Sequence, residues 1–149
     1  MTISRIKLVN WKNFKHIDVK LGKRVFIVGP NASGKSNLLD AFRFLRDIAM
    51  PGGGLQKSIT DRGGLSLIRC LGARKNPRIE FEVTFESDAA SKDVWIYSIG
   101  ISQEPRGNRR ARLDYEKVEH KRKVLLDRPD EDDKKDEERL YQTATDRLL

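Results

Sequence analysis

The stretch Gly29-Pro30-Asn31-Ala32-Ser33-Gly34-Lys35-Ser36 matches every position of the phosphate-binding P-loop pattern G-x-x-x-x-G-K-[ST]. In such a loop the glycines permit turns that a Cβ would obstruct, so consecutive backbone N–H groups point inward at phosphate oxygens. The motif therefore predicts a binding site for a nucleoside triphosphate. A plain glycine turn between a strand and a helix is the alternative interpretation.

The residues on both sides of the motif are typical of a strand, a loop and a helix. The apolar run from Val25 to Val28 predicts a buried strand that leads into the loop. Behind the loop, apolar residues recur at helical spacing until Pro51 and three glycines end the run. These residues are Leu38, Leu39, Ala41, Phe42, Leu45, Ile48 and Ala49. We expect the helix to begin at Lys35 and Ser36, with the positive end of its dipole toward the phosphates.

Two side chains of the loop have expected chemical roles. Lys35 is expected to reach the β and γ phosphates, and the Ser36 hydroxyl is expected to be a ligand of Mg²⁺. ATP and Mg²⁺ are therefore the predicted cofactors. The predicted nucleotide-binding residues of the loop are Gly29, Pro30, Asn31, Ala32, Ser33, Gly34, Lys35, Ser36 and Asn37.

Composition limits the class of protein. The 149 residues can form one domain with a hydrophobic core, and 38% of them are hydrophobic while 35% are charged. No apolar stretch approaches the roughly 20 residues that span a membrane, and the N-terminus lacks the apolar block of a signal peptide. We therefore expect a cytoplasmic protein without a membrane partner. The single cysteine, Cys70, excludes an internal disulfide and is expected in the core beside Leu67, Ile68 and Leu71.

Alternating apolar residues predict strands on both sides of the P-loop. Segments 3–8 and 17–21 precede the loop, and a turn from Lys20 to Lys23 leads into it. Segments 78–85 and 94–101 predict an antiparallel hairpin, and segment 111–126 predicts one or two further strands. Glycines around positions 50–65 predict a loop with a helical turn near 55–59.

The element Leu8-Val9-Asn10-Trp11-Lys12-Asn13-Phe14, followed by an amphipathic strand and the P-loop, resembles the amino-terminal lobe of ABC-type ATPase heads of the RecF, SMC and OLD-like group. The resemblance implies an α/β fold, a P-loop NTPase in which an antiparallel β layer lies beside the P-loop strand and helix. It also implies that Lys12 lies near the nucleotide, although lysine lacks the bidentate fork of the arginine usual at this position. For Trp11 and Phe14, packing in the core is a simpler interpretation than stacking on a nucleotide.

Two blocks of opposite charge follow. Between positions 106 and 123 there are eight basic residues and three acidic ones, and between positions 127 and 138 there are eight acidic residues and three basic ones. The basic block could contact DNA phosphates, since RecF- and SMC-like heads often act on DNA. A solvated hairpin tip neutralised by the acidic loop is the alternative interpretation.

One further candidate lies near the end of the chain. Segment 139–144 predicts the start of a helix. In the resembled heads, a glutamine that senses Mg²⁺ and the γ-phosphate closes this lobe at about this point. The resemblance therefore implies that Gln142 contacts the nucleotide and the metal. An exposed helix glutamine is the alternative.

Motifs for hydrolysis do not occur in the sequence. The resembled heads need a Walker B strand that ends in Asp-Glu, a signature turn and a switch histidine. Segment 124–127 imitates a Walker B start but has three apolar residues and is followed by Arg128, so we interpret Asp127 as a decoy. We expect residues 1–149 to be one partial ATP-binding lobe with a glycine-rich loop at 50–65 and a charged region at 106–138. We expect a second lobe to follow this one. We also expect the full-length protein to form a homodimer with ATP bound between its two subunits.

Three functions remain open. The first is the ATP-binding lobe of a RecF/SMC/OLD-like ATPase in DNA repair, DNA maintenance or defence against mobile DNA; the isolated lobe would bind ATP without turnover. The second is a small, self-contained phosphotransferase, in which segment 106–112 would be the arginine-bearing lid. The third is a non-hydrolytic module whose interaction with a partner uses the same fold.

Overall fold

Period-two alternation in the sequence produces one antiparallel sheet. The computed structural model describes residues 1–73, 77–87 and 93–146. Six strands are found there in the order β2-β1-β3-β4-β5-β6. Their bounds are β1 Thr2–Trp11, β2 Phe14–Lys20, β3 Ile79–Glu86, β4 Val94–Gln103, β5 Ala111–His120 and β6 Lys123–Arg128. The strands expected before the loop, the hairpin and the further pair of strands are confirmed.

Short helices and one long helix lie against or beside the sheet. Their bounds are α1 Lys35–Ala49, α2 Leu55–Thr60, α3 Leu65–Ile68 and α4 Glu131–Lys135, with a 3-10 helix at Glu137–Tyr141. Helix α1 begins and ends where the sequence predicted, and α2 is the expected helical turn in the glycine-rich loop. The α/β fold class is confirmed. No helix in the described ranges has both the length and the apolar character to cross a membrane.

One face of the sheet and one face of α1 form the core. In β1 and β3, Ile6 pairs with Val83 and Leu8 with Phe81, and all four side chains are buried. Helix α1 packs on this face through a set of buried residues. These are Ala41, Phe44 and Ile48. The ring centroids of Trp11, Phe44 and Phe81 lie 5.0–5.3 Å apart, so core packing is the observed role of Trp11.

The segment Val25–Val28, predicted as a buried strand, is neither buried nor a strand. It is irregular, and the exposed fractions are 50% for Val25, 87% for Phe26 and 88% for Val28. A strand needs a neighbour that satisfies its backbone N–H and C=O groups. In the described part of the chain, no strand lies beside this segment. The prediction of a buried strand at Val25–Val28 is therefore wrong.

The expected surroundings of Cys70 are also corrected. Cys70 and Ile68 are buried, but Leu67 is 70% exposed and Leu71 is 90% exposed. Helix α3, which the sequence did not predict, is only four residues long. Such a short helix turns one side to the core and the other to solvent, so neighbours in sequence are not neighbours in the core.

A buried charged cluster fixes the last segment of the chain to the sheet. Arg128 on β6, Glu116 on β5 and Asp133 on α4 are almost fully buried. The Arg128 guanidinium donates two hydrogen bonds to Asp133, at 2.8 and 3.1 Å, and one to Glu116 at 3.1 Å. Further bonds reach the carbonyl oxygens of Arg139 and Gln142. The helix predicted over 139–144 is instead the 3-10 helix that these bonds hold.

The neutralisation predicted between the two charge blocks holds only in part. Arg110 pairs with Glu138 at 2.9 Å and Lys117 with Asp127 at 3.4 Å. Other acidic residues pair with lysines of their own block, at 2.6 and 3.0 Å. In the described residues, the side chains of four arginines of the basic block have no ion pair. These are Arg106, Arg109, Arg112 and Arg122.

Candidate nucleotide-binding site

The loop before α1 is held against the turn between β1 and β2. Gly34 has a φ of 97°, in the left-handed region that favours glycine. A Cβ on Gly34 would collide with the side-chain amide of Asn13 and lie 2.9 Å from the ring of Phe14. Ala32, with a φ of 63°, also adopts this conformation without being glycine. The loop is therefore strained at one position and tightly enclosed at another.

The Lys35 ammonium lies inside the loop. Its Nζ donates to the carbonyl oxygens of Gly29 and Pro30, both at 2.6 Å, and to the Ser33 hydroxyl at 3.4 Å. These partners are neutral, so they leave the positive charge uncompensated. The first turn of α1 carries no acidic residue. The ammonium and the positive end of the helix dipole therefore create one electropositive opening that suits an anion.

Ser36 follows Lys35 in the first turn of α1 and is exposed. Its hydroxyl oxygen is a hard donor, the kind of ligand that Mg²⁺ prefers. Mg²⁺ in phosphate sites usually takes one or two protein oxygens and completes its octahedron with phosphate oxygens and water. The Ser36 hydroxyl at the start of α1 fits that role.

Asn37 joins the loop, α1 and β1. Its side-chain nitrogen donates to Asn13 Oδ1 at 2.8 Å, and its carbonyl oxygen accepts from Trp11 Nε1, also at 2.8 Å. The residue thus fixes the first turn of α1 to the β1–β2 turn. The sequence analysis placed Asn37 at the nucleotide site but assigned no role to Asn13.

Lys12, in the β1–β2 turn, contacts α1. Its Nζ is 2.7 Å from Asp40, which is four residues, or about one helical turn, after Ser36. Arg62 donates to both oxygens of Asp40, each at 3.2 Å. Burial raises the pKa of Asp40, but the hydrogen bonds from Lys12 and Arg62 outweigh it and lower the pKa below its usual value.

A groove of about 660 Å³ opens beside this end of α1. Lys12, Asn13 and Asn37 line it together with the exposed side chains of Leu67 and Leu71. The groove thus combines apolar walls with hydrogen-bonding groups, a combination typical of sites for small organic ligands.

The structure does not bring Gln142 to this site. Its neighbour Thr143 donates its N–H to Asp146 at 2.7 Å, and Asp146 also accepts from the N–H of Leu55 at 3.2 Å. Leu55 follows Gly54, whose N–H bonds to Asp47 in the last turn of α1. Ser36 is at the opposite end of this 15-residue helix, and such a helix is roughly 20 Å long. We therefore do not retain Gln142 as a nucleotide or metal ligand.

Asp40 and Arg62 were missed by the sequence analysis. Asp40 and Asp47 are seven residues apart, so they lie on one face of α1. Two acids on one face of a helix favour a cation that neutralises both of them. Which cation it is depends on the path of the chain through α2, and the sequence does not give that path.

The P-loop before α1 and the antiparallel sheet beside it define an ATPase-type P-loop domain. The chain belongs to the family described as AAA domain, putative AbiEii toxin, Type IV TA system, whose model matches residues 24–146. The domain is related to the RecF and SMC ATPases. The recognition of this group from residues 8–37 is thereby confirmed.

The curated relatives cover short parts of longer proteins. The DNA replication and repair protein RecF of Brucella abortus is 40% identical over 62 residues, 41% of this chain and 15% of RecF. RecF of Clostridium kluyveri is 28% identical over 107 residues, 69% of this chain and 29% of RecF. The chromosome partition protein Smc of Methanocaldococcus jannaschii is 46% identical over 46 residues, 30% of this chain and 4% of Smc. The chain therefore spans less than a third of these relatives.

One solved structure also resembles the chain. It comes from work on ATP-driven dimerization and DNA-stimulated activation of SMC ATPases. Its sequence is 18% identical, the TM-score is 0.48, and the match covers 83% of this chain and 72% of that one.

Proposed function

We propose that this chain is the ATP-binding lobe of a RecF/SMC/OLD-like ATPase. The observation that carries the proposal is the position of the Lys35 ammonium. It lies within a P-loop, on neutral carbonyl oxygens, at the positive end of α1. A triphosphate would replace those weak partners with charged ones, and charge-assisted bonds are about twice as strong as neutral ones.

The surrounding residues have distinct proposed roles. The loop from Gly29 to Ser36 would hold the phosphates through its N–H groups and Lys35. Ser36 would hold Mg²⁺, which shields the charge between neighbouring phosphates when bound. The groove lined by Lys12, Asn13 and Asn37 has room for the base and the sugar.

Hydrolysis is proposed only for a completed head. Asp127, the residue that imitates a Walker B aspartate, lies on β6 and pairs with Lys117 at 3.4 Å. The exposed Val25–Val28 segment has the apolar composition of a P-loop strand. These observations support a second lobe, which would supply neighbouring strands and hydrolytic residues, and a homodimer with ATP between its subunits.

The proposed biological role is DNA repair, DNA maintenance or defence against phages, in the cytoplasm. Two RecF relatives are named as DNA replication and repair proteins, and the family description names a putative toxin. Three arginines of the β4–β5 loop and β5, which form no ion pair with the described residues, support DNA as a partner. These are Arg106, Arg109 and Arg112.

Equilibrium binding of a fluorescent ATP analogue with Mg²⁺ tests the proposal. We expect Lys35→Ala to weaken binding at least about tenfold, since it removes the cation from the loop. Lys20→Ala is the matched control, because Lys20 is an exposed lysine of β2 on the sheet. Equal binding by wild type and Lys35→Ala would contradict the proposed site.

Phosphate release, measured in the same samples, separates the alternatives. The proposed lobe binds the analogue without releasing phosphate above background. Turnover by the wild-type chain would favour a self-contained phosphotransferase instead. Binding of a protein partner that survives Lys35→Ala would favour the non-hydrolytic interaction module.

A further inference from the structure

Lys12 forms an ion pair with Asp40 beside the P-loop. If this ion pair opens, Asp40 still has a cation beside it. The Lys12 ammonium contacts Asp40 at 2.7 Å, and its side chain is 27% exposed, toward the groove beside the loop. Asp40 is on α1, about one turn from Ser36. The ion pair therefore lies at the border of the proposed nucleotide site.

Asp40 does not depend on Lys12 for its neutralisation. Arg62 donates to Asp40 through two nitrogens and to Asp47 at 2.8 Å, and a fourth bond reaches the carbonyl oxygen of Ser58. The Arg62 side chain is 11% exposed and lies over the Phe44 ring. Asp47 has a second cation, Arg46, at 2.7 Å. Removing Lys12 from this cluster leaves each carboxylate with a guanidinium partner.

A buried carboxylate that loses its only cation is strongly destabilised, whereas one with a second cation is not. Arg62 thus determines whether Lys12 is free to move. With Arg62 in place, the transfer of Lys12 to another anion breaks one partly buried ion pair and leaves Asp40 with a cation. Without Arg62, the same transfer would leave Asp40 without a cation.

We propose that Asp40 is the resting partner of Lys12 and that Arg62 is a positioning residue, which allows Lys12 to transfer to a phosphate of the bound nucleotide. The inference rests on the proposed function, because it requires nucleotide at the P-loop. Binding of nucleotide would then open the ion pair that connects the β1–β2 turn to α1. Arg62 acts on affinity through Lys12 and touches no ligand.

Double-mutant cycles with the fluorescent ATP analogue and Mg²⁺ test the inference on the 149-residue chain. Arg62→Gln is expected to weaken binding about three- to tenfold, because Lys12 is then retained by Asp40. Asp40→Asn is expected to strengthen binding by a similar factor, because Lys12 is released. In a Lys12→Met background both effects should disappear.

A purely structural role for this cluster gives a different result. If Asp40→Asn and Arg62→Gln change affinity equally in the presence and absence of Lys12, the inference is overturned. The same holds if neither changes it in the wild-type background. Arg62→Lys, which keeps one cation, should restore part of the affinity that Arg62→Gln loses.

Thermal unfolding of each variant accompanies the binding measurements. If Arg62→Gln does not fold, the cycle of Asp40→Asn with Lys12→Met decides alone. Failure of the wild-type chain to bind the analogue overturns the proposed function and this inference together. Binding that is lost in Lys35→Ala but shows no coupling between Lys12 and its neighbours overturns this inference only.

Discussion

Two regions of this molecule reverse the usual distribution of polar and apolar residues. At the β5–β6 end, the guanidinium of Arg128 is 2% exposed. Before the P-loop, the ring of Phe26 is 87% exposed. Arg128 is surrounded by two carboxylates and two carbonyl oxygens, whereas the segment around Phe26 has no neighbouring strand in the described part of the chain.

The difference shows that burial follows the partners a residue finds as well as its hydrophobicity. A charged group enters the interior when every hydrogen bond and charge is matched. An apolar strand stays outside when nothing satisfies its backbone. The Val25–Val28 segment is the most hydrophobic one before the P-loop. Its burial is therefore what a neighbouring strand would change most.

The largest expected effect is at the buried charged cluster. Arg128→Ala removes the cation between Glu116 and Asp133 and leaves two buried carboxylates without it. We expect the free energy of unfolding to fall by about 3–5 kcal/mol. Urea denaturation measures this change, and Arg122→Ala, at an exposed arginine of the β5–β6 turn, is the control.

A triple variant, which replaces Arg128 and both of its acidic partners by uncharged residues, sharpens this prediction. Replacing Arg128, Glu116 and Asp133 together by Met, Gln and Asn removes the uncompensated charges. It should be more stable than Arg128→Ala alone. If the single variant were as stable as wild type, the cluster would contribute nothing to holding the last segment on the sheet.

A matched pair of phenylalanines tests the comparison directly. Phe81 is 1% exposed and Phe26 is 87% exposed. Phe81→Ala should cost about 3–5 kcal/mol through a cavity under α1. Phe26→Ala should change stability by no more than about 0.5 kcal/mol. Similar losses in the two variants, measured by urea denaturation, would show that the Val25–Val28 segment packs in solution.

A smaller effect is expected at alkaline pH. Burial first, and then the neighbouring Glu116, raise the pKa of Tyr97 well above its usual value of 10.0. Above pH 10 the unfolded chain releases this proton and the folded chain keeps it. The contribution of Tyr97 to stability is therefore complete below pH 10 and is lost as the pH rises toward its folded pKa, by about 1.4 kcal/mol per pH unit.

Tyr97→Phe isolates this contribution, because it removes the titrating phenol and keeps the ring. The stability of the wild-type chain should fall more steeply between pH 10 and 11 than that of the variant. Chemical denaturation at fixed pH values provides the comparison. Parallel pH profiles would show that the phenol ionises freely in the folded chain and is not held by Glu116.

Local patterns in the sequence were sufficient for much of the fold. Alternation gave the strands β1 to β6, and the P-loop pattern with its apolar helix gave α1 from Lys35 onward. The expectation that Lys12 lies near the nucleotide came from family resemblance and stays a prediction. These features depend on residues that are close in sequence or belong to one motif.

Other features depend on distant residues that meet only in the fold. Arg128 was interpreted only as the residue that spoils a Walker B motif, because its partners on β5 and α4 become neighbours through strand pairing. Gln142 was assigned to the nucleotide site by resemblance, whereas in the structure it directly follows the 3-10 helix and its carbonyl oxygen accepts from Arg128. The Val25–Val28 segment was misplaced because propensity does not reveal whether a neighbouring strand is available.

The collision expected at Gly34 limits how positions 13 and 34 can change in evolution. Every amino acid other than glycine has a Cβ, and at this position a Cβ meets the side chain of Asn13. Any amino-acid replacement at position 34 therefore requires the side chain of Asn13 to move, and the new residue also adopts a backbone φ of 97° that favours glycine. Across descendants of this gene, positions 13 and 34 are expected to vary together or to remain constant.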